Sequence, residues 1–153
     1  MAPRLPREIS AALAERATAL RGRAAGRVLD LDDVALDAAD GMYDCIFAFL
    51  QAPLEPDLDD YCRRLRERLA PDGWLYVLEP TVRSGPLGRA LSIGGRLVRP
   101  ATGLHLDRDI TQAVRRCGLF VTDLHRFEIA SVSAPLRPFA EVWARFPTAA
   151  PVS

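Results

Sequence analysis

Asp57-Leu-Asp-Asp-Tyr-Cys-Arg-Arg-Leu-Arg-Glu-Arg-Leu-Ala-Pro-Asp-Gly-Trp-Leu-Tyr-Val-Leu-Glu79 is the stretch whose reading decides the fold. Leu58, Tyr61, Leu65 and Leu69 recur at three- and four-residue spacing, which places them on one stripe of a helix. Asp57 is the N-cap of that helix, Asp59 and Asp60 sit in a first turn where the helix dipole favours negative charge, and four arginines crowd the C-terminal half. Pro71-Asp-Gly73 reads as its stop, and Trp74 to Glu79 as a strand. Just upstream, Tyr43 to Leu50 is a near-continuous apolar run, the pattern of a strand covered on both faces in a parallel sheet. Pro53 and Pro56 close it. Strand, helix, strand in this register is a βαβ unit with a right-handed crossover.

Working outward, residues 7 to 21 place Ile9, Leu13, Ala17 and Leu20 at helical spacing, and Gly22 and Gly26 end that helix. Arg27 to Leu31 is short and partly β-branched and reads as a strand. Asp32 to Gly41 is a turn-rich acidic loop. Downstream, residues 81 to 102 mix glycine, proline and four arginines around Leu87, Leu91, Leu97 and Val98, a pattern for a short helix in a lid-like segment. Asp107 is the expected cap of a helix through Ile110, Ala113, Val114 and Cys117, with Gly118 at its C-terminal boundary. Leu119 to Ile129 and Leu136 to Phe146 read as the last strands. The expectation is one α/β domain over 1–153, a three-layer sandwich with about five strands. Its parts are an N-terminal helix (1–26), core strands and helix (27–80), the lid-like segment (81–102), and a C-terminal helix and strands (103–153).

The 153 residues are 49% hydrophobic and 26% charged, as in a single globular domain. Twenty acids meet twenty bases, all arginine, so no net charge draws the chain to a polyanion, and no nucleic-acid partner is expected. The absence of lysine and asparagine is a mark of GC-rich coding, a clue to a bacterial source. Cys45, Cys62 and Cys117 form neither a disulfide framework nor a zinc set, which fits a reducing cytoplasm. The N-terminus lacks the apolar core of a signal peptide, and no apolar run is long enough for stable membrane insertion. Charge is unevenly spread along the sequence: ten carboxylates and no arginine from Asp30 to Asp60, but eight arginines and three acids from 81 to 126. The acidic stretch lacks the Asp-x-Asp-x-Asp-Gly spacing of a calcium loop, and no metal is expected.

Four phrases carry a family resemblance: Gly26-Arg-Val-Leu-Asp-Leu31, Tyr43-Asp44 with its apolar strand, Leu65 to Pro80, and Gly103-Leu-His-Leu-Asp-Arg-Asp109 running on to Phe127. In this order, over about Gly26 to Phe146, they resemble the class I S-adenosylmethionine-dependent methyltransferases. The resemblance implies a Rossmann-like fold and, for the subgroup that the last block is similar to, a small, often lipophilic or thiol acceptor.

In that family a Gly-x-Gly-x-Gly turn follows the first strand. Here Asp32, Val34 and Leu36 hold the three positions. Glycine lets the backbone approach the cofactor closely, whereas these side chains fill the space, and Asp32 and Asp33 bring charge toward the cofactor's carboxylate. Only twelve residues separate Leu31 from Asp44, too few for the two βα units that the family places there. One of those units ends in the acid that holds the ribose. Aligning Val28 to Asp32 with the third strand instead removes the first strand and its loop. Either way, no S-adenosylmethionine is expected to bind in the usual way, and Asp30, Asp32, Val34 and Leu36 mark a degenerate cofactor loop.

Three residues are candidates for ligand contact. Glu79 ends a strand at the carboxyl edge of the sheet, where open α/β folds place ligands, and reads either as a ligand contact or as a cap on the next turn. His105, with Arg108 in the same phrase, falls near the acceptor pocket on the resemblance; the imidazole is either a ligand or base, or a packed core group. Catalytic residues stay unassigned. Cys45 and Cys117 read as small core residues, and His125 as a strand residue exposed to solvent. The leading functional expectation is an accessory or interaction subunit, a homodimer or a complex with a methyltransferase-like partner through an exposed sheet edge. The alternatives are an active transferase with a rebuilt or partner-completed site, and a small-molecule binding module.

Overall fold

The computed structural model describes residues 7–80, 109–129 and 138–148. Helix α1 (Arg7–Arg21) leads to β1 (Val28–Asp30), a 3-10 turn (Leu36–Ala38), β2 (Tyr43–Phe49), a second 3-10 turn (Ala52–Leu54) and α2 (Leu58–Arg68). Then follow β3 (Leu69–Pro80), α3 (Ile110–Arg116), β4 (Phe120–Glu128) and β5 (Pro138–Arg145). The strands form one mixed sheet in the order β1-β2-β3-β5-β4, the α/β architecture of about five strands that the sequence implies. β1, β2 and β3 run parallel, and β5 lies antiparallel between β3 and β4.

Side chains alternate across the sheet. Ile46 and Ala48 of β2 and Leu75 and Val77 of β3 meet Leu58, Tyr61, Cys62 and Leu65 of α2 and Ile110, Ala113 and Val114 of α3. Cys45, Phe47, Phe49, Tyr76, Leu78 and Phe139 point the other way, toward Leu13 and Leu20 of α1. Burial on both faces is why β2 reads as an unbroken apolar run, and each fully buried Leu or Ile contributes about 1.5–3 kcal/mol.

Two boundaries differ from the sequence reading. The helix stop is not made by Pro71-Asp-Gly73: α2 ends at Arg68 because Leu69 is already extended and pairs with Tyr43. The Pro-Asp-Gly run lies inside β3, where the register jumps from Leu69 opposite Tyr43 to Trp74 opposite Cys45. Gly73 allows that crowding, since a Cβ there would stand 2.9 Å from the Tyr43 carbonyl oxygen. The cap of α3 is Asp109 rather than Asp107: its side chain accepts the Gln112 amide at 3.2 Å. Gly118 follows that helix with φ +96°, a conformation that suits glycine. Asp107 and the lid-like segment lie outside the described residues.

Among the described residues β1 pairs only with β2 and is an edge. The parallel ladder turns Leu29 and Leu31 toward β2, so the amides of Val28 and Asp30 face outward. One end of this edge is closed from within, since the Asp30 carbonyl accepts from Asp33 and Val34; at the other end the Arg27 amide, on the β2 side, donates to Asp44 Oδ2 at 2.8 Å. Residues 31–42 connect β1 to β2 on the α2 side, where Leu31, Leu36 and Ala39 join the core.

Candidate functional site

The carboxyl ends of β1, β2 and β3 lie side by side beneath α1, and the turn after β1 sets one wall. Its backbone amides are all in use. Leu31 donates to the Phe47 carbonyl at 3.0 Å, Asp32 to Asp30 Oδ1 at 3.1 Å, and Asp33 and Val34 each to the Asp30 carbonyl at 3.0 Å. The Asp30 carboxylate is gripped by Arg21 of α1, Nε to Oδ2 at 2.6 Å and Nη2 to Oδ1 at 3.2 Å, and Nη2 also reaches Asp32 Oδ2. Hydrogen bonding to Asp30 raises the guanidinium pKa above its ordinary value. Val34 is exposed, while Leu36 packs against the α2-side core.

The second wall is the turn after β2. Leu50 has φ +57° and is the one described non-glycine residue with positive φ. Its amide donates to the Leu78 carbonyl at 2.9 Å, and the next two amides, Gln51 and Ala52, donate to Glu79 Oε1 at 2.9 and 3.1 Å. Glu79 is fully buried. Among the described residues, the turn that it caps is the one after the neighbouring strand, reached across the sheet.

Between these walls and α1 is a cavity of about 320 Å³ lined by Leu13, Ala14, Ala17, Phe49, Leu50 and Leu78, with Arg21, Asp32 and Gln51 at its polar end. The structure thus gathers Asp30, Asp32 and Glu79 at one edge of the sheet and adds Arg21, Leu50 and Gln51, which the sequence reading did not single out. Arg21 carried one signal: it closes α1 just before the acidic run. His105 and Arg108 lie outside the described residues. His125 is exposed on β4, its ring edge-on to Trp143 at 6.4 Å. Burial pushes the Cys45 thiol up to about 11 and also raises Cys62 and Cys117.

The separation of charge expected from the sequence is partly cancelled in space. Arg64 of α2 reaches Asp37 at 2.8 Å, Glu55 at 2.9 Å and Asp60 at 3.0 Å; Arg116 of α3 reaches Asp59, and Arg27 reaches Asp40. These arginines, with Arg21, come from the segments flanking the acidic run and from the helices packed beside it. Arg63, hydrogen-bonded to Asp60, holds that carboxyl below its usual range.

No protein-family model matches the sequence, and no curated protein does. Solved structures do. An S-adenosylmethionine-dependent methyltransferase from Thermotoga maritima superposes with TM-score 0.57 at 13% identity, over 92% of this chain and 91% of that one. The Methanosarcina mazei S-adenosylmethionine-dependent methyltransferase gives 0.52 at 10% identity, over 75% of this chain and 66% of the other. The [4+2]-cyclase SpnF gives 0.53 at 16%, over 75% of this chain but only 54% of its own, so this chain spans about half of that protein. The fold is that of the class I methyltransferases. In this chain the amides of residues 31–34 are bonded within the chain itself, and a carboxylate-guanidinium cluster stands beside them. No helix among the described residues is long and apolar enough to cross a membrane.

Proposed function

We propose that this chain is a methyltransferase-fold binding protein that does not hold S-adenosylmethionine in the family's manner and acts as an accessory subunit. The observation that carries this reading is the use of the Leu31, Asp32, Asp33 and Val34 amides within the chain. A cofactor carboxylate at the end of β1 would have to displace these bonds and stand beside Asp30 and Asp32. The α1 cavity, apolar along its length and polar at one end, suits a small, largely apolar molecule. Calorimetric titration of the full chain with S-adenosylmethionine is expected to give no binding tighter than about 1 mM. Stoichiometric micromolar binding overturns the reading.

The accessory role draws on β1. Its outward-facing Val28, 39% exposed, offers a short pairing site for a second copy or a methyltransferase-like partner in a reducing cytoplasm. Light scattering that finds only monomer, at every concentration tested and with no partner co-purifying, counts against this role.

A second reading, an active transferase of a small acceptor, is favoured by the near-complete mutual coverage with the Thermotoga maritima methyltransferase. Transfer of a labelled methyl group from S-adenosylmethionine to a small thiol by the purified chain would establish it.

A further inference from the structure

We infer that Glu79 is a positioning residue that holds Leu50 in the left-handed conformation and so sets the shape of the α1 cavity. The ligand-binding part of this inference rests on the cavity reading above; the positioning part does not. A side chain bearing a Cβ is disfavoured at φ +57°, and such residues persist where the surroundings over-determine them. Here the surroundings are two consecutive residues of β3. Leu78 takes the Leu50 amide through its carbonyl, and Glu79 takes the next two amides through one carboxylate oxygen. Three successive amides thus point back at β3, and the backbone reverses at Leu50.

The consequence reaches the cavity directly, since Leu50, Gln51 and Leu78 all line it. The Gln51 side chain, placed by the same turn, donates to the Phe49 carbonyl at 3.1 Å and faces Asp32 at the polar end. Glu79 has no solvent exposure, and the two backbone donors meet one oxygen of its buried carboxyl group. Glutamate at the end of β3 is therefore used structurally, toward the neighbouring turn, and it shapes a binding site without having to touch what binds there.

The test uses Glu79→Ala, Glu79→Gln, Leu50→Gly and the double variants, read by urea unfolding and by fluorescence titration with N-phenyl-1-naphthylamine, a neutral apolar probe. Glutamine keeps an acceptor oxygen, so Glu79→Gln is expected to bind the probe within about twofold of the parent, and Glu79→Ala about fivefold or more weakly. Glycine at 50 removes the conformational penalty. Without Glu79 the turn can relax and leucine no longer bears that penalty, so Leu50→Gly is expected to lower the folding equilibrium constant about fivefold more in Glu79→Ala than in the parent. If Glu79→Ala does not fold, the same coupling is read in Glu79→Met, which keeps the side-chain volume without the acceptor oxygen. Additive effects at 50 and 79, or a Glu79→Ala variant with parental probe affinity, overturn the assignment. A parent chain that does not bind the probe counts against the cavity reading alone, because the urea coupling between 50 and 79 then decides the positioning role.

Discussion

Arg21 and Asp30 are joined by two hydrogen bonds, from Nε and Nη2 of the one to the two carboxylate oxygens of the other, across the junction of α1 and β1. The Asp30 side chain is only 15% exposed, so removing its partner leaves a largely desolvated charge. Arg21→Ala is expected to cost about 1–2 kcal/mol in urea unfolding, a charge-assisted pair discounted for the exposure of the arginine. Lysine cannot reproduce the fork, and Arg21→Lys should recover less than half of the loss. A loss within error for Arg21→Ala would show that the pair is merely superficial.

Alkaline pH should weaken the fold through Cys45. Burial raises its thiol from the ordinary value of 9.0 to about 11, so the folded state keeps a proton that the unfolded chain releases earlier. That contribution is fully present below pH 9 and is lost as pH rises from 9 through 11. The thermal midpoint should fall over this window, and the gap between the parent and Cys45→Ala should narrow across it. A gap that stays constant from pH 8 to 11 contradicts the assignment.

Asp57 accepts the Asp60 amide at 3.0 Å as the cap of α2. Asp57→Ala should cost about 1 kcal/mol, and Asp57→Asn only a few tenths, in the denaturant midpoint at unchanged slope. Equal effects of the two variants would place the role of Asp57 elsewhere.

Leu65 is fully buried between α2 and the sheet, whereas Phe120 at the start of β4 is 59% exposed. Leu65→Ala should cost about 2–5 kcal/mol and Phe120→Ser about 0.5 kcal/mol or less, measured by the same unfolding experiment. Comparable losses at the two positions would mean that Phe120 is covered in solution.

The elements were legible where the hydrophobic period was clear: α1, β2, α2, β4 and β5 fall within a few residues of their sequence patterns. Leu69 was misread because helical stripe and strand start coincide on one leucine, and only its pairing with Tyr43 settles which wins. Asp107 and Asp109 both precede the same apolar stripe, so local sequence alone does not choose between them. The site was less legible for a different reason. Asp30, Asp32 and Glu79 stood out as acids at strand ends, but their partners Arg21, Gln51 and Ala52 come from other elements, and a contact between elements leaves no local periodicity. The lopsided charge misled in the same way, since the distance that separates Arg116 from Asp59 in sequence is closed by the packing of α2 against α3.

The strand order also bears on how the chain is made. β4 emerges from the ribosome before β5 yet pairs with no other described strand, and the free side of β3 awaits the same partner. Until Pro138–Arg145 arrives, no described strand joins the parallel half to β4, and both keep open edges. Vectorial synthesis therefore leaves sheet closure to a late, central insertion, the stage at which the nascent chain is most exposed to mispairing and to holding chaperones.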